Sequence, residues 1–156
     1  MSTRRITTRD AEETLRLGQR MGEELAVLSD GSVLILIGPL GAGKTVLAKG
    51  IALGLGVQEP VVSPTYTIVS QYPARGRLLH HVDLYRIEGR DQLENLGLED
   101  ILAGNGIVVV EWGEKLEPML RGGYTRITIA LKDDGGRDIL IEETEVEPGV
   151  TRGAGG

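Results

Sequence analysis

The sequence predicts an α/β fold, a three-layer sandwich with helices on both faces of a mixed central sheet. Residues 33–37 and 106–112 contain apolar, β-branched runs typical of strands buried on both faces. The first run leads through a glycine-rich segment, residues 38–45, into a helical pattern. Residues 125–132 and 137–144 alternate in polarity and predict a C-terminal antiparallel hairpin. Together these features favour a P-loop NTPase-like architecture.

The first element is an amphipathic helix over residues 10–28, because apolar and small residues recur there at spacings of three and four. Asp10 and Glu13 have the spacing of a capping box at its start. The helix comes just before the first buried strand. We therefore expect it to pack beside the site that follows that strand.

The glycine-rich segment matches the pattern G-x-x-x-x-G-K-[ST] between a strand and a helix. Its glycines let backbone N–H groups surround an anion, and the N-terminus of the next helix adds partial positive charge. Lys44 is predicted to contact the β- and γ-phosphates of ATP or ADP, and the Thr45 hydroxyl to bind Mg²⁺. The predicted nucleotide contacts in this segment are Gly38, Leu40, Gly41, Ala42, Gly43, Lys44, Thr45 and Val46. The alternative is an ordinary glycine turn.

Two threonines outside this segment are further candidates for the site. Thr14, on the flank of the first helix, either contacts the nucleotide or faces solvent, as most helix threonines do. Thr65 follows Pro64 in a stiff loop, residues 63–66, which holds its direction. Thr65 either senses the γ-phosphate or metal, as in switch loops, or belongs to a tight connection.

A second helix is predicted over residues 44–55, and Gly50 inside it indicates close packing. After the Thr65 loop, two strands are expected to form a hairpin that hangs off the sheet. The predicted strands are residues 67–72 and 78–84. His80 and His81 favour a structural role, because no third metal ligand lies nearby in the sequence. Asp83 lies between apolar residues, so its carboxylate requires a partner.

Two interpretations of Asp83 stay open. Its partner is either Mg²⁺ or an attacking water, which makes Asp83 a catalytic and metal-ligand candidate, or it is Arg86 in a salt bridge.

A helix follows over residues 91–103, with its acidic residues on a solvated face.

The run 106–112 ends in a carboxylate, Glu111, at the strand end where ligands bind in open α/β sheets. Glu111 is therefore the preferred metal ligand and a catalytic candidate, with Asp83 as the second. Trp112 is expected near the base of the nucleotide, at a partner-facing edge, or packed in the core.

Bulk composition limits the function classes. The chain has 156 residues, four Tyr, one Trp, no Phe, no Cys and a formal charge of -6. An acidic chain with few aromatic residues is unsuited to direct DNA or RNA binding. Without an apolar run of about 18 residues or a signal peptide, we expect no membrane span and a cytoplasmic location. We expect one P-loop ATPase domain over residues 1–146 and a disordered, glycine-rich tail over residues 147–156.

The motifs, taken in order, resemble those of the TsaE (formerly YjeE) family of small bacterial P-loop ATPases. They are GPLGAGKT at 38–45, SPTY at 63–66, HVDLYR at 81–86, ENLGLED at 94–100 and VEWGEKL at 110–116. The resemblance runs from about Thr8 to the last hairpin. It matches Lys44 and Thr45 to phosphate and Mg²⁺ contacts, Thr65 to a switch-like threonine, and Asp83, Glu111 and Trp112 to site positions.

The resemblance implies a role in tRNA threonylcarbamoyladenosine synthesis at adenosine 37. In that scheme a TsaE protein binds and hydrolyses ATP to reset a complex of TsaB and TsaD, and it meets tRNA only indirectly. An acidic surface agrees with a basic protein partner. Slow hydrolysis that a partner accelerates is expected, because no arginine finger is evident in the sequence.

A phosphate-binding segment of this kind also occurs in proteins with three other functions. A small-molecule kinase requires an arginine-rich lid, for which only Arg121 and Arg126 are candidates late in the chain. A switch GTPase normally carries an Asn-Lys-x-Asp tetrad, which the sequence lacks. A nucleotide-dependent scaffold without hydrolysis stays open on sequence alone.

Overall fold

Seven strands form a sheet that carries helices on both faces. The computed structural model describes residues 2–62 and 68–144. The strands are β1 (Ser2–Thr8), β2 (Ser32–Ile37), β3 (Val69–Ala74), β4 (Arg77–Asp83), β5 (Ile107–Glu111), β6 (Thr125–Leu131) and β7 (Arg137–Glu143). The helices are α1 (Ala11–Ala26), α2 (Lys44–Leu55), α3 (Gly89–Glu94) and α4 (Glu99–Ala103), with short 3-10 turns at Gly113–Lys115 and Glu117–Met119. Thr65 and the tail therefore lie outside the described residues.

The strand order is β1-β7-β6-β2-β5-β4-β3. β2 lies in the centre, parallel to both β5 and β6, and β4 is parallel to β5. The remaining pairs, β3 with β4, β6 with β7 and β1 with β7, are antiparallel. The predicted mixed sheet with a C-terminal antiparallel hairpin is confirmed.

Two features of the sheet differ from the sequence prediction. β1 was not predicted, because it is a mostly exposed edge strand of polar residues without an apolar face. The hairpin of β3 and β4 does not hang off the sheet, since β4 pairs along its length with β5. That pairing places Asp83 directly beside Glu111 in the register.

Helix α1 begins after Asp10, whose Oδ1 accepts a hydrogen bond of 2.9 Å from the N–H of Glu13. The Glu13 carboxylate accepts from the N–H of Arg9 at 2.7 Å, one residue earlier than a capping box requires. The predicted N-terminus is therefore correct, with the reciprocal bond shifted by one position. Within the described ranges, no helix is long and apolar enough to span a bilayer.

Helices α1 and α2 lie in close backbone contact on one face of the sheet. Gly18 and Gly22 of α1 face Gly50 and Gly54 of α2, and a Cβ at any of the four would overlap the backbone of the other helix. The predicted close packing at Gly50 is confirmed. Because α2 starts at the glycine-rich segment, this contact fixes α1 relative to that segment.

Two aliphatic cores fill the space between the sheet and its helices. The core under α1 and α2 includes Leu17, Leu47, Ile51, Leu36, Val109, Ile127 and Ile139. The core on the other face includes Leu93, Leu98, Leu116, Val33, Ile35, Val108 and Val110. Alternate residues of β2 and β5 enter opposite cores, which explains why both strands are apolar throughout.

The single helix predicted over residues 91–103 is wrong. The chain forms two short helices, α3 and α4, that are separated at Gly97, whose φ of 65° lies in the left-handed region. Leu93 and Leu98 flank the break, and both are buried. The turn thus lets two leucines five positions apart reach the same core.

Candidate functional site

The phosphate loop, residues 38–45, connects the C-terminal end of β2 to α2. Gly41 and Gly43 have φ values of 81° and 106°, which favour glycine. Gly43 is also the N-cap of α2, so no side chain competes for the first N–H groups of that helix. The loop therefore presents backbone donors and the positive end of a helix dipole, which suits an anion.

Lys44 is held over the loop. Its Nζ donates hydrogen bonds to the carbonyl oxygens of Gly38 at 2.5 Å and Pro39 at 2.9 Å. The same nitrogen lies 4.1 Å from the ring centroid of Trp112, a cation–π contact. Burial lowers the pKa of Lys44 from its ordinary value, and the nearby carboxylates, led by Glu111, oppose this change.

Glu111 reaches the phosphate loop from the neighbouring strand. It ends β5, is 3% exposed, and its Oε1 accepts a 2.8 Å hydrogen bond from Oγ1 of Thr45. The two residues are 66 positions apart, and the parallel pairing of β2 with β5 brings them together. The structure thus joins two of the three residues that the sequence analysis selected as metal ligands.

His81 is a site residue that the sequence analysis missed. Its Nε2 lies 2.6 Å from Oε2 of Glu111, and the ring is almost fully buried. His81 was interpreted as structural in the sequence analysis, because its contact with Glu111 depends on the pairing of β4 with β5, which the sequence analysis did not predict. The alternation of side chains along a strand could have indicated this contact. His81 and Asp83 lie two positions apart and therefore on the same face of β4, and Asp83 is the partner of Glu111 in the register. We call His81, Asp83 and Glu111 the carboxylate edge.

Asp83 is half-buried beside Glu111. Its Oδ1 accepts a 2.9 Å hydrogen bond from the N–H of Tyr85, and no ion pair joins it to Arg86 within the described ranges. Burial raises the pKa of Asp83, the negative charge of Glu111 adds to that effect, and the Tyr85 bond opposes it. A carboxylate with this environment gains from a nearby cation.

Trp112 follows Glu111 with φ 59° and ψ 39°, an uncommon conformation for a bulky residue. Its ring packs at 43° to that of Tyr85, with centroids 5.1 Å apart, as well as under Lys44. Lys115 stabilises the segment after β4 by donating to the carbonyl oxygens of Leu84, Tyr85 and Ile87 at 2.8–3.0 Å. These contacts place Tyr85 and Trp112 together at the rim of the site.

Thr14 lies next to the phosphate loop and is buried rather than solvent-facing. Its Oγ1 is 2.8 Å from Oγ1 of Thr8, and a Cβ at Gly43 would lie 3.9 Å from its methyl group. Thr14 therefore packs against the loop at the start of α2.

Arg137 is a second residue that the sequence analysis missed. Its Nε donates to the carbonyl oxygen of Ala42 at 2.7 Å, and its Nη2 donates to that of Gly41 at 3.3 Å. Nη1 bonds Gly135 and Gly136 in the turn before β7. Arg137 lies in the hairpin, 95 positions from Ala42, and no local pattern marks it.

Most of the predicted site residues line one cleft of about 320 Å³. Its lining consists of Leu40, Gly41, Gly43, Lys44, Thr45, Val46, Asp83, Tyr85, Glu111 and Trp112. Gly38 and Ala42, although part of the loop, and Thr14 do not belong to this lining. A larger cleft, of about 510 Å³, lies at the opposite end of β4 and β5 and includes His80, Asp100 and Asn105. Only the smaller cleft has the phosphate loop in its wall.

The oxygen donors of the site fit Mg²⁺. Thr45, Glu111 and Asp83 offer a hydroxyl and carboxylates, the hard ligands that this ion prefers. Within the described ranges, no group of three or more His, Cys, Asp or Glu is placed to hold an ion by itself. This arrangement agrees with Mg²⁺ bound by one or two protein oxygens together with phosphate oxygens and water, and it does not suit a metal cage made of protein alone.

Comparisons with known proteins agree with this geometry. The family model described as "Threonylcarbamoyl adenosine biosynthesis protein TsaE" matches residues 8–139. A Treponema pallidum protein is 39% identical over 138 residues, which cover 88% of this chain and 98% of that protein. A Nostoc protein is 42% identical over 142 residues, 88% of this chain and 84% of that protein. Both are named tRNA threonylcarbamoyladenosine biosynthesis protein TsaE. The crystal structure of Bacillus subtilis YdiB superposes with a TM-score of 0.73 at 32% identity, covering 90% of this chain and 84% of that one.

Proposed function

Because this chain belongs to the TsaE family of threonylcarbamoyl adenosine biosynthesis proteins, we propose that it binds ATP with Mg²⁺ and hydrolyses it slowly. We further propose that this hydrolysis serves tRNA threonylcarbamoyladenosine synthesis through a complex of TsaB and TsaD. Contact with tRNA is then indirect, in agreement with the formal charge of -6.

The observation that carries the proposal is the hydrogen bond between Thr45 and Glu111. It brings a hydroxyl and a carboxylate to one point at the exit of the phosphate loop. Mg²⁺ bound there supplies positive charge that offsets the charge on the β- and γ-phosphate oxygens. Thr45 and Glu111 would hold the ion, and Asp83 is a further candidate ligand.

The other residues have separate roles in the proposal. The loop N–H groups bind the phosphates, and Lys44 exchanges its carbonyl partners for the β- and γ-phosphates. Asp83 or Glu111 orients the attacking water. Trp112 borders the nucleotide, and Thr14 packs against the loop that binds it. Thr65, outside the described residues, stays a prediction as the γ-phosphate sensor.

The contacts of Arg137 support the need for a partner. Arg137 donates to the carbonyl oxygens of Gly41 and Ala42 in the loop and of Gly135 and Gly136 in the turn before β7. Its guanidinium therefore supports the loop and is not positioned as a finger on the γ-phosphate. An arginine supplied by a partner accelerates hydrolysis strongly in other P-loop proteins. The small-molecule kinase is less well supported, because β6 and β7 are integral strands of the sheet and do not form a lid.

The proposal is tested with the full chain. Calorimetry with ATP, in Mg²⁺ and in EDTA, should show binding that Mg²⁺ strengthens. Hydrolysis is then measured with and without TsaB and TsaD, and we expect a slow basal rate that the two partners raise. No heat with any adenine nucleotide would overturn the proposal as a whole. Equal rates with and without the partners would remove the partner role and favour the kinase.

A further inference from the structure

His81 is a buried polar residue to which the proposed mechanism gives no task. Its side chain is 1% exposed and points from β4 toward the carboxylate of Glu111. The residue two positions earlier on the same face, Leu79, belongs to the aliphatic core under α1 and α2. A histidine at the end of this apolar row is costly unless its ring nitrogen makes a specific hydrogen bond.

The contact with Glu111 identifies the nitrogen that carries the proton. Nε2 lies 2.6 Å from Oε2, and a carboxylate oxygen accepts, so Nε2–H is the donor. Nδ1 is buried and has no hydrogen-bond partner among the residues that the structure describes. A proton on Nδ1 would leave a buried N–H unsatisfied, whereas a bare lone pair there costs less. The tautomer with its proton on Nε2 is the one that fits both nitrogens.

The two oxygens of Glu111 therefore have different partners. Oε2 is bound by His81 from β4, and Oε1 is bound by Thr45 from α2. A carboxylate held at one oxygen keeps the other in a fixed direction, which is the usual effect of an outer hydrogen bond on a metal ligand. Thr45 is itself the hydroxyl at the proposed metal position.

We propose that His81 is a positioning residue for the metal site: its Nε2–H fixes Oε2 of Glu111 so that Oε1 faces Thr45 and binds Mg²⁺ as a single-oxygen ligand. This inference rests on the proposed function, because it concerns the ion that accompanies the nucleotide. His81 does not touch nucleotide or metal.

Two substitutions separate positioning from packing. In His81→Gln the amide nitrogen occupies the place of Nε2 and keeps a donor to Glu111. In His81→Asn the amide nitrogen occupies the place of Nδ1, so the side chain stays polar while the donor is lost. The matched control is His80→Asn on the same strand, since the Nδ1 of His80 contacts Gln71 on the other face of the sheet.

The experiment measures binding of a fluorescent ADP analogue over a range of Mg²⁺ concentrations and in EDTA. Loss of an outer-shell partner typically weakens metal affinity about 10–100-fold. We expect His81→Asn to require at least about tenfold more Mg²⁺, with binding in EDTA within about twofold of wild type. His81→Gln should recover most of the Mg²⁺ response, and His80→Asn should match wild type.

A second measurement needs neither metal nor substitution. Nitrogen-15 NMR of histidine-labelled, metal-free wild type should show His81 protonated at Nε2 and bare at Nδ1. A bare Nε2 would overturn the inference, as would a wild-type Mg²⁺ response in His81→Asn or an equal loss in His81→Gln. A parallel loss of binding in EDTA would assign His81 to packing. If wild type itself shows no Mg²⁺-dependent binding, the proposed function fails, and the inference fails with it.

Discussion

The phosphate loop and the carboxylate edge face each other across one cleft, but they are built in different ways. The loop is eight consecutive residues whose function depends on backbone conformation, with Gly41 and Gly43 at positive φ. The carboxylate edge consists of side chains from β4 and β5, and only the parallel register of those strands makes them neighbours. We therefore expect changes in the loop to affect nucleotide binding itself. Changes in the edge should affect the metal and hydrolysis, with metal-free binding retained.

The largest effect is expected from Lys44→Ala in the loop. Hydrogen bonds to charged groups contribute about 2–3 kcal/mol, so the loss of the ammonium should weaken ATP binding by about 100-fold. Hydrolysis should become undetectable. The control is Lys49→Ala, an exposed lysine of the same helix, which should bind ATP like wild type. Calorimetry in EDTA and in Mg²⁺ provides the measurement, and near-normal ATP affinity in Lys44→Ala would remove the central role of the loop.

Glu111→Gln probes the carboxylate edge at its centre. The amide is close in shape to the carboxylate but carries no charge for Mg²⁺ or for a water proton, so hydrolysis should fall by about 100-fold or more. ADP binding in EDTA should change less than about threefold, because Glu111 makes no part of the anion-binding backbone. Glu114→Gln, an exposed carboxylate three positions later, is the matched control. Equal losses of binding in EDTA and of hydrolysis would abolish the distinction between loop and edge.

The same distinction explains which parts of the site could be predicted from the sequence. The loop was predicted because its residues are consecutive and lie between a strand and a helix, and Glu111 because a buried run stops at a carboxylate. His81 was missed because its contact depends on the register between two strands 30 positions apart in sequence. Arg137 was missed because it lies in a hairpin far along the chain. The break at Gly97 and the polar edge strand β1 are set by packing and pairing, which local periodicity does not reveal.

Arg137→Ala tests whether the phosphate loop keeps its conformation without hydrogen bonds from the C-terminal hairpin. Its hydrogen bonds to Ala42 and Gly41 support the loop from outside, and the shorter one, at 2.7 Å to Ala42, is worth about 1 kcal/mol. If the loop relies on that support, ATP affinity should fall by about fivefold. Lys132→Ala, in the turn of the same hairpin, should have no effect on affinity. Wild-type affinity in Arg137→Ala would show that the loop conformation is encoded locally.

The smallest effect concerns the stability of the carboxylate edge without metal. Burial raises the pKa of Asp83, so the folded protein holds that proton more tightly than the unfolded chain does. The contribution of Asp83 to the free energy of unfolding is therefore fully favourable below the ordinary carboxyl pKa of 3.8. It is lost as the pH rises through the raised pKa of the folded protein. At pH 7 the ionised Asp83 therefore destabilises the fold, and partial exposure keeps the effect below about 1 kcal/mol.

Asp83→Asn, which retains an acceptor for the Tyr85 N–H, should accordingly raise the unfolding midpoint of the metal-free protein slightly at pH 7 and leave it unchanged near pH 3. Urea unfolding at both pH values provides the measurement, with the exposed Asp91→Asn on α3 as control. A lower midpoint for Asp83→Asn at pH 7 would mean that Asp83 stabilises the edge without metal. Mg²⁺ would then no longer be needed to explain a half-buried carboxylate beside Glu111.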